Sequence, residues 1–135
     1  MSSTDDIKKK VLKECKTLAI VGLSDNPQRA SNRIGKYLQQ AGYKIVPVNP
    51  QIEAALGEKA YPDLPSIPFP VDVVDVFRRQ EEIDSVIDEA LKINPKAIWL
   101  QLGLICTGDK ARVTETGADL IEDCCMMAEH RRLMN

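Results

Sequence analysis

The sequence has no apolar run that approaches the roughly 20 residues needed to span a bilayer. Its first residues, MSSTDDIKKK, lack the apolar core of a signal peptide, so we expect a cytoplasmic protein. An excess of basic residues is also missing, because 18 Lys and Arg stand against 20 Asp and Glu, a formal charge of -2. This balance argues against a general nucleic-acid binder. We therefore expect neither nucleic acid nor membrane as a partner, whereas a local cluster of cations can still bind a small anion.

Cysteine and histidine are scarce, with four cysteines and one histidine in the chain. In a cytoplasmic protein we expect Cys15, Cys106, Cys124 and Cys125 to be thiols rather than disulfides. No two of them have the C-x-x-C spacing of a structural zinc site, so we predict no metal. The sequence offers no Ser/His/Asp set, and the segments that follow the predicted strands hold no evident pair of carboxylates. We therefore predict no catalytic residue, and whether the protein is an enzyme stays open at this stage.

Apolar segments alternate along the chain with segments of helical periodicity. A chain of 135 residues suits one domain, which we predict to span residues 1–135. The alternation is typical of a parallel sheet covered by helices on both faces. We predict an α/β fold, a single Rossmann-like doubly wound domain with a five-stranded parallel sheet. The predicted strands are residues 18–21, 43–48, 71–77, 97–100 and 118–121, and the predicted helices are 4–16, 31–42, 80–93, 108–117 and 126–133, with one helical turn at 52–56.

The loop after the first predicted strand carries the main functional signal. The apolar run ends at Gly22, and a helical pattern begins near Ser31. A strand that feeds a helix through such a loop forms an anion site, because free N–H groups and the helix dipole meet there. Arg29 adds a full positive charge and a bidentate fork. We interpret the loop as the binding site for a phosphate group of a nucleotide-like cofactor.

Ligands of doubly wound sheets bind beyond the carboxyl ends of the strands. In this chain those ends are residues 22–24, 49–50, 77–78 and 101–103, and each holds a polar residue or a glycine. The sequence therefore predicts one cleft at a single edge of the sheet.

The loop departs from the usual dinucleotide fingerprint G-x-G-x-x-G. Gly22 fits the first position, but Ser24 replaces the second glycine and Pro27 the third. No acidic residue follows the second predicted strand, although Asn49 can hydrogen-bond a ribose or a base. These departures favour a nucleotide that is bound by other contacts. An NAD(P)-binding oxidoreductase is the alternative.

Five segments together carry a family likeness: VGLSDNPQRAS, GYKIVPVNP, VDVVDVFR, IWLQLG and DCCMMAEHRRL. They resemble, in this order, the small CoA-binding Rossmann-fold proteins of the YccU-like family, which are similar to the CoA-binding domain of the succinyl-CoA synthetase α subunit. The resemblance implies a non-catalytic binding or regulatory module for coenzyme A or an acyl-CoA. The acyl preference, a protein partner or homo-oligomer, and a reaction of Cys125 with the CoA thiol stay open. One departure is Cys124, where the family often has Arg.

The resemblance also implies which residues bind the cofactor. The residues that would hold the pyrophosphate are Gly22, Leu23, Ser24 and Arg29, with further hydrogen bonds at the helix start from Ser31 and Asn32. The residues near the adenosine would be Asn49 and Pro50. The cleft would be lined by Val76, Phe77 and Arg78, and its far side would be closed by Gln101 and Gly103.

Overall fold

A five-stranded parallel sheet organises the computed structural model, which describes residues 4–134. The strands are β1 (Thr17–Val21), β2 (Lys44–Val48), β3 (Ala54–Ala55), β4 (Glu58–Lys59), β5 (Val73–Val76), β6 (Ala97–Leu100) and β7 (Asp119–Ile121). The helices are α1 (Thr4–Glu14), α2 (Ala30–Gln40), α3 (Ile83–Leu91), α4 (Ala111–Thr114) and α5 (Met126–Met134). The main sheet has the order β2-β1-β5-β6-β7, with every neighbouring pair parallel.

The strand order reverses next to β1, because the chain first moves outward to β2 and then returns to the other side of β1 with β5. Such a reversal opens a crevice at the carboxyl ends of the strands. The predicted Rossmann-like, doubly wound α/β fold with five parallel strands is confirmed. No helix within residues 4–134 is both long and apolar enough to cross a membrane.

Both faces of the sheet are covered, which explains why its strands are apolar on both sides. On one face Leu18, Ile20 and Trp99 pack with residues of α1, α2 and α5. On the other face Val74 and Ile98 pack with residues of α3, α4 and the segment 61–71. Each face thus buries its own apolar cluster, and the polar ends of the strands are left at the edges of the sheet.

The predicted helical turn at residues 52–56 is wrong, because β3 and β4 form a short antiparallel hairpin there. Leu56 and Gly57 both have positive φ, 54° and 77°, which suits a two-residue hairpin turn rather than a helix. The predicted helix at 108–117 is shorter, since only Ala111–Thr114 is helical. Residues Gln80–Glu82 form a 3-10 turn ahead of α3. Pro47 lies inside β2, which tolerates it as an edge strand of the main sheet.

Candidate functional site

Gly22 sets the start of the β1–α2 loop. Its φ is +88°, and a Cβ at this position would lie 2.0 Å from the carbonyl oxygen of Phe77. Only glycine permits both the backbone conformation and this close approach. The same hypothetical Cβ would lie 3.3 Å from Cδ of Arg78. The loop is therefore held directly against the carboxyl end of β5.

Polar side chains of the loop and of α2 hold the loop in shape. Ser31 Oγ accepts a hydrogen bond from the Ser24 amide at 3.0 Å, and Asn32 Nδ2 donates to the Ser24 carbonyl at 2.8 Å. Ser24 Oγ in turn accepts from the Asn26 amide at 3.0 Å. These three predicted contact residues lie together, but each already makes hydrogen bonds inside the protein. Their first role is to preorganise the loop.

The amino end of α2 faces outward with a cation beside it. Arg29 is the N-cap residue and makes no side-chain capping hydrogen bond. Arg29 is exposed, and its guanidinium makes no ion pair with any residue between 4 and 134. The helix dipole and this free charge act in the same direction, so the position favours an anion.

Asn49 connects the loop to the end of β2. Its Nδ2 donates to the Leu23 carbonyl at 3.1 Å, and its Oδ1 accepts from the Gln51 amide at 2.9 Å. Gly22 donates its amide to the Val48 carbonyl at 2.8 Å. The carboxyl ends of β1 and β2 are thereby fixed to each other at the edge where the crevice opens.

Two cavities open along this edge and share Arg78 and Glu82. The larger, of about 570 Å³, lies within the range of ligand pockets. The smaller has about 300 Å³. The larger is lined by Gln51, Phe77, Arg78, Arg79, Glu82, Gln101, Leu102 and Leu104, and the smaller includes Pro50, Val48, Glu81 and Glu89.

The two arginines of the larger cavity are paired with an acid. Arg78 Nε lies 3.7 Å from Glu82 Oε2, and an Arg79 Nη nitrogen lies 3.2 Å from Glu82 Oε1. The hydrogen bond from Arg79, together with the charge of Arg78, holds the pKa of Glu82 below its ordinary value. Glu82 is therefore ionised at neutral pH. An anionic ligand must compete with it for both guanidinium groups.

A buried carboxyl lies behind the cavity wall. Asp75, in the middle of β5, is fully buried, and its Oδ1 accepts a hydrogen bond from Gln101 Nε2. Its other oxygen, Oδ2, has no partner. Burial raises the pKa of Asp75 to about 7, and the Gln101 hydrogen bond opposes the shift only in part. Gln101 itself lines the larger cavity.

The far side of the cavity is a loop that several side chains fix in place. The Gly103 amide donates to Asp123 Oδ1 at 2.7 Å. Gln80 binds both backbone groups of Ile105, with Nε2 donating to the carbonyl at 2.7 Å and Oε1 accepting from the amide at 2.9 Å. Leu102 directly precedes Gly103 in this loop and is 74% exposed at the cavity wall. An apolar side chain is thus presented to whatever enters.

The structure brings most of the predicted residues to one edge. Phe77, Arg78 and Gln101 line the larger cavity, and Pro50 lines the smaller one. One predicted position is corrected: the side chain of Val76 is fully buried in the core, so it does not line the cleft. The side chain of Leu23 is also fully buried, which leaves only its backbone for the predicted contact with the pyrophosphate. The other residues of the predicted set lie at the border of the cleft, Ser31 and Asn32 in the first turn of α2 and the rest in loops: Gly22, Ser24, Arg29, Asn49 and Gly103.

Sequence reasoning missed several residues of the site. Glu82 had a signal, since it follows Arg78 by four residues and can pair with it. Asp75 also had one, because a charged residue in the middle of an apolar strand with two covered faces demands an explanation. Leu102 and Leu104 gave none that separates a cavity wall from ordinary core. Gln51 directly precedes the segment 52–56, whose structure was predicted wrongly.

Cys125 lines neither of these two cavities. It is partly buried, and its carbonyl accepts the Glu129 amide at 3.0 Å, so it caps the start of α5. Trp99 donates its indole N–H to the neighbouring Cys124 carbonyl at 2.9 Å. Within residues 4–134 no group of three or more His, Cys, Asp or Glu side chains is arranged to bind a metal ion.

Comparison with known structures supports the fold. A hypothetical protein of Pyrococcus horikoshii OT3 superposes with a TM-score of 0.92 at 34% identity, over 99% of this chain and 94% of that one. An acetyl-coenzyme A synthetase of Ca. Korarchaeum cryptofilum, in complex with phosphate and ADP, gives a TM-score of 0.68 at 24% identity. That match spans 86% of this chain and 27% of the synthetase chain, and it shows similarity of fold alone.

Comparison of sequences identifies the family. The uncharacterized protein YneT of Bacillus subtilis (strain 168) is 42% identical over 122 residues, which are 90% of each chain. The family model described as CoA binding domain matches residues 16–131. This match includes the whole main sheet and both walls of the cleft. The resemblance in the five sequence segments is thereby confirmed, and the chain belongs to the CoA-binding-domain family.

Proposed function

We propose that this chain binds coenzyme A, or an acyl-CoA, in the cleft at the carboxyl ends of the strands, as a non-catalytic binding or regulatory module that acts as one domain. The observation that carries the proposal is the cavity of about 570 Å³ at the carboxyl ends of β5 and β6, whose wall residue Arg78 lies next to Gly22 of the β1–α2 loop. Membership of the CoA-binding-domain family supports the ligand class. The assignment of individual residues rests on the geometry.

The polar end of the ligand suits the loop side of the cleft. CoA carries a pyrophosphate and a 3′-phosphate, which require N–H groups and cations. Arg29, at the uncapped start of α2, is a cation that has no ion-pair partner among residues 4–134. Gly22 lets the loop backbone lie against β5 and keeps side-chain atoms out of the way. We assign the pyrophosphate to this loop, and Asn49 and Pro50 to the adenosine end.

The longer, less charged part of the ligand suits the larger cavity. Phe77, Leu102 and Leu104 supply apolar surface there, and Gln101 supplies an amide. The pantetheine arm has the same composition, with methylene groups that are interrupted by amides. Arg78 and Arg79 lie between the two regions and can exchange Glu82 for a phosphate. No pair of a nucleophile and a base lines the cavity, which is why we propose binding rather than catalysis.

A thermal-unfolding series tests the proposal with CoA, dephospho-CoA, acetyl-CoA, NAD and NADP as ligands. A ligand at about 100 times its dissociation constant stabilises the native state by roughly 2.7 kcal/mol, which raises the melting temperature by several degrees. We expect CoA and acetyl-CoA to act and the nicotinamide nucleotides to have no effect. A response to NAD or NADP alone would contradict the proposal and return the oxidoreductase alternative.

A substitution at Arg29 locates the phosphates. We expect Arg29→Ala to weaken CoA binding about 10-fold, because an exposed charge-assisted hydrogen bond is lost. Lys36→Ala is the matched control, since it removes one positive charge from an exposed position on the same helix. If both variants bind CoA equally well, Arg29 has no direct role in binding the phosphates.

A further inference from the structure

Asp75 has an environment unlike that of any other acid in residues 4–134. It lies in β5 between Ile20 of β1 and Trp99 of β6, which are its register partners. Asp75 is completely buried, on the face of the sheet where Ile20 and Trp99 are part of the core. A carboxyl group in such a position is costly unless its oxygens are hydrogen-bonded. Only one of its two oxygens is.

Gln101 is the group that bonds the satisfied oxygen, Oδ1. Its Nε2 donates to Asp75 Oδ1, so the amide nitrogen is turned inward. The side-chain amide oxygen of Gln101, Oε1, accepts no hydrogen bond from residues 4–134, and it keeps some accessible surface. Gln101 lines the larger cavity, so this oxygen is open to the cavity. The amide thus points its donor at Asp75 and its acceptor at the cavity.

We propose that Asp75 is a positioning residue, which orients the Gln101 amide so that its carbonyl oxygen accepts a hydrogen bond from an N–H group of the ligand. This inference rests on the proposed function and adds to it the chemistry of one contact. Among the parts of CoA, the amides of the pantetheine arm supply such N–H groups next to apolar methylenes. The apolar walls formed by Phe77 and Leu102 suit the same part of the ligand.

The protonation state of Asp75 decides how strongly the amide is oriented. An ionised carboxylate only accepts hydrogen bonds, so Gln101 must turn its N–H group inward. A protonated carboxyl carries a donor of its own and also permits the reversed amide. Because burial places the pKa of Asp75 near 7, both states are present around neutral pH. Ligand affinity should therefore rise with pH through this range.

The helix α5, which packs on the same face of the sheet as Asp75, carries His130, whose pKa burial holds below its ordinary value. The Asp75→Asn variant keeps His130 and therefore controls for it. The Cys124 thiol interacts with Asp75, but burial raises the pKa of Cys124 to about 11, so the thiol stays neutral. The register partners on β1 and β6 are Ile20 and Trp99, neither of which titrates here. Across the cavity, Glu82 is paired with Arg78 and Arg79, which hold its pKa below the ordinary value, so Glu82 keeps its negative charge over this range.

The test is a calorimetric titration with dephospho-CoA from pH 5.5 to 8.5, for the parent protein and for Asp75→Asn. Dephospho-CoA has no 3′-phosphate monoester, whose second pKa near 6 would add its own pH dependence. We expect the parent to bind about 3- to 10-fold more tightly at pH 8 than at pH 6, the effect of one hydrogen bond. Asp75→Asn has an amide that permits both Gln101 orientations, so its affinity should be lower at pH 8 and flat with pH.

A second variant and a stability measurement complete the test. Gln101→Met keeps the volume of the side chain and removes the amide, so it should also bind weakly and without the pH dependence. At pH 8, Asp75→Asn should unfold at the same temperature as the parent or at a higher one, because the substitution removes a buried charge. If Asp75 had only a structural role, the substitution would instead lower the unfolding temperature.

If both variants keep the pH profile of the parent, the inference is wrong while CoA binding stands. If the parent binds neither CoA nor dephospho-CoA at any pH, the proposed function fails and the inference fails with it.

Discussion

The two ends of the parallel sheet treat the same kind of residue in opposite ways. Asp72 lies just before β5 at the amino edge, where its Oδ2 accepts the Lys16 and Thr17 amides at 2.8 and 3.1 Å. Lys96 adds an ion pair at 3.6 Å. Burial alone would raise the pKa of Asp72, but these hydrogen bonds and this charge outweigh it, and the pKa lies below its ordinary value. Asp75, three positions later, has its pKa raised to about 7.

This difference separates a structural edge from a binding edge. At the amino edge the Asp72 carboxylate links the start of β5 to the start of β1, because it accepts hydrogen bonds from the Lys16 and Thr17 amides. This contact needs no ligand. At the carboxyl edge Asp75 satisfies one side-chain amide and keeps an oxygen without a partner, directly behind a cavity. A buried polar group that lacks a hydrogen-bond partner lowers stability, so proteins retain such a group where a function requires it.

The largest expected effect is on the pH dependence of the free energy of unfolding, which should differ between the parent protein and Asp75→Asn. Its folded pKa lies above the unfolded value of about 3.9, so the folded state holds the proton over a range in which the unfolded state has lost it. Stability therefore falls as pH rises from about 4 to 7, by an upper limit of about 4 kcal/mol. Urea unfolding should show this fall in the parent and not in Asp75→Asn. Parallel pH profiles for the two proteins would contradict the account.

Glycines at the two edges provide the next comparison. Gly22→Ala forces a Cβ to within 2.0 Å of the Phe77 carbonyl at a φ of +88°, so we expect a loss of about 3 kcal/mol. Gly117, before β7 at the amino edge, has a similar φ of +91° but no atom within 4 Å of the new Cβ. Gly117→Ala should lose only about 1 kcal/mol for the backbone strain alone. Equal losses in chemical denaturation would show that the close approach at Gly22 is unimportant.

Removal of the amino-edge carboxylate has a smaller effect. Asp72→Ala leaves the Lys16 and Thr17 amides without their acceptor, and we expect a loss of about 2 kcal/mol at pH 7. Because the pKa of Asp72 is lowered, its contribution is present above pH 4 and disappears as the pH falls through the folded pKa. Asp25→Ala, in an exposed loop, is the control and should stay within about 0.5 kcal/mol of the parent. A pH-independent loss at Asp72 would mean that its charge has no part in the contact.

The smallest expected effect concerns the acid inside the cleft. Glu82→Gln removes the anion that pairs with Arg78 and Arg79, so CoA should bind about 3-fold more tightly, an effect that is reduced by solvent exposure. Glu115→Gln makes the same change of charge at an exposed position near α4 and should leave the affinity unaltered. Affinities that rise equally in both variants would indicate a general effect of net charge.

The sequence predicts the sheet well because its strands are short apolar runs between clear breaks. Residues 97–100 were predicted with the bounds that β6 has, since AIWL is preceded by Asn94-Pro95 and followed by a glycine loop. The hairpin of β3 and β4 was missed, because its two-residue strands have no periodicity and its turn needs a positive φ at Leu56, a residue that rarely adopts one.

For the site, the sequence predicts the edge but not the contacts. The strand ends locate the cleft, since parallel strands place their carboxyl ends together. Which cations are available to a ligand depends on the ion pairs that form in the folded protein. Arg29 has no ion-pair partner within residues 4–134, whereas Arg78 is paired with Glu82. The direction in which Asp75 points follows from the register of β5 with β6, which brings it to Gln101. No pattern in the sequence contains that information.

The most direct test of the central claim is a CoA titration followed by ¹H–¹⁵N NMR, with the backbone amides of the glycines as probes. Gly22 and Gly103 lie at the carboxyl edge, and Gly42 and Gly117 lie at the amino edge, before β2 and β7. We predict that CoA shifts the signals of Gly22 and Gly103 and leaves those of Gly42 and Gly117 in place. Shifts confined to Gly42 and Gly117, or no shift at any of the four, would contradict a CoA site at the carboxyl edge of the sheet.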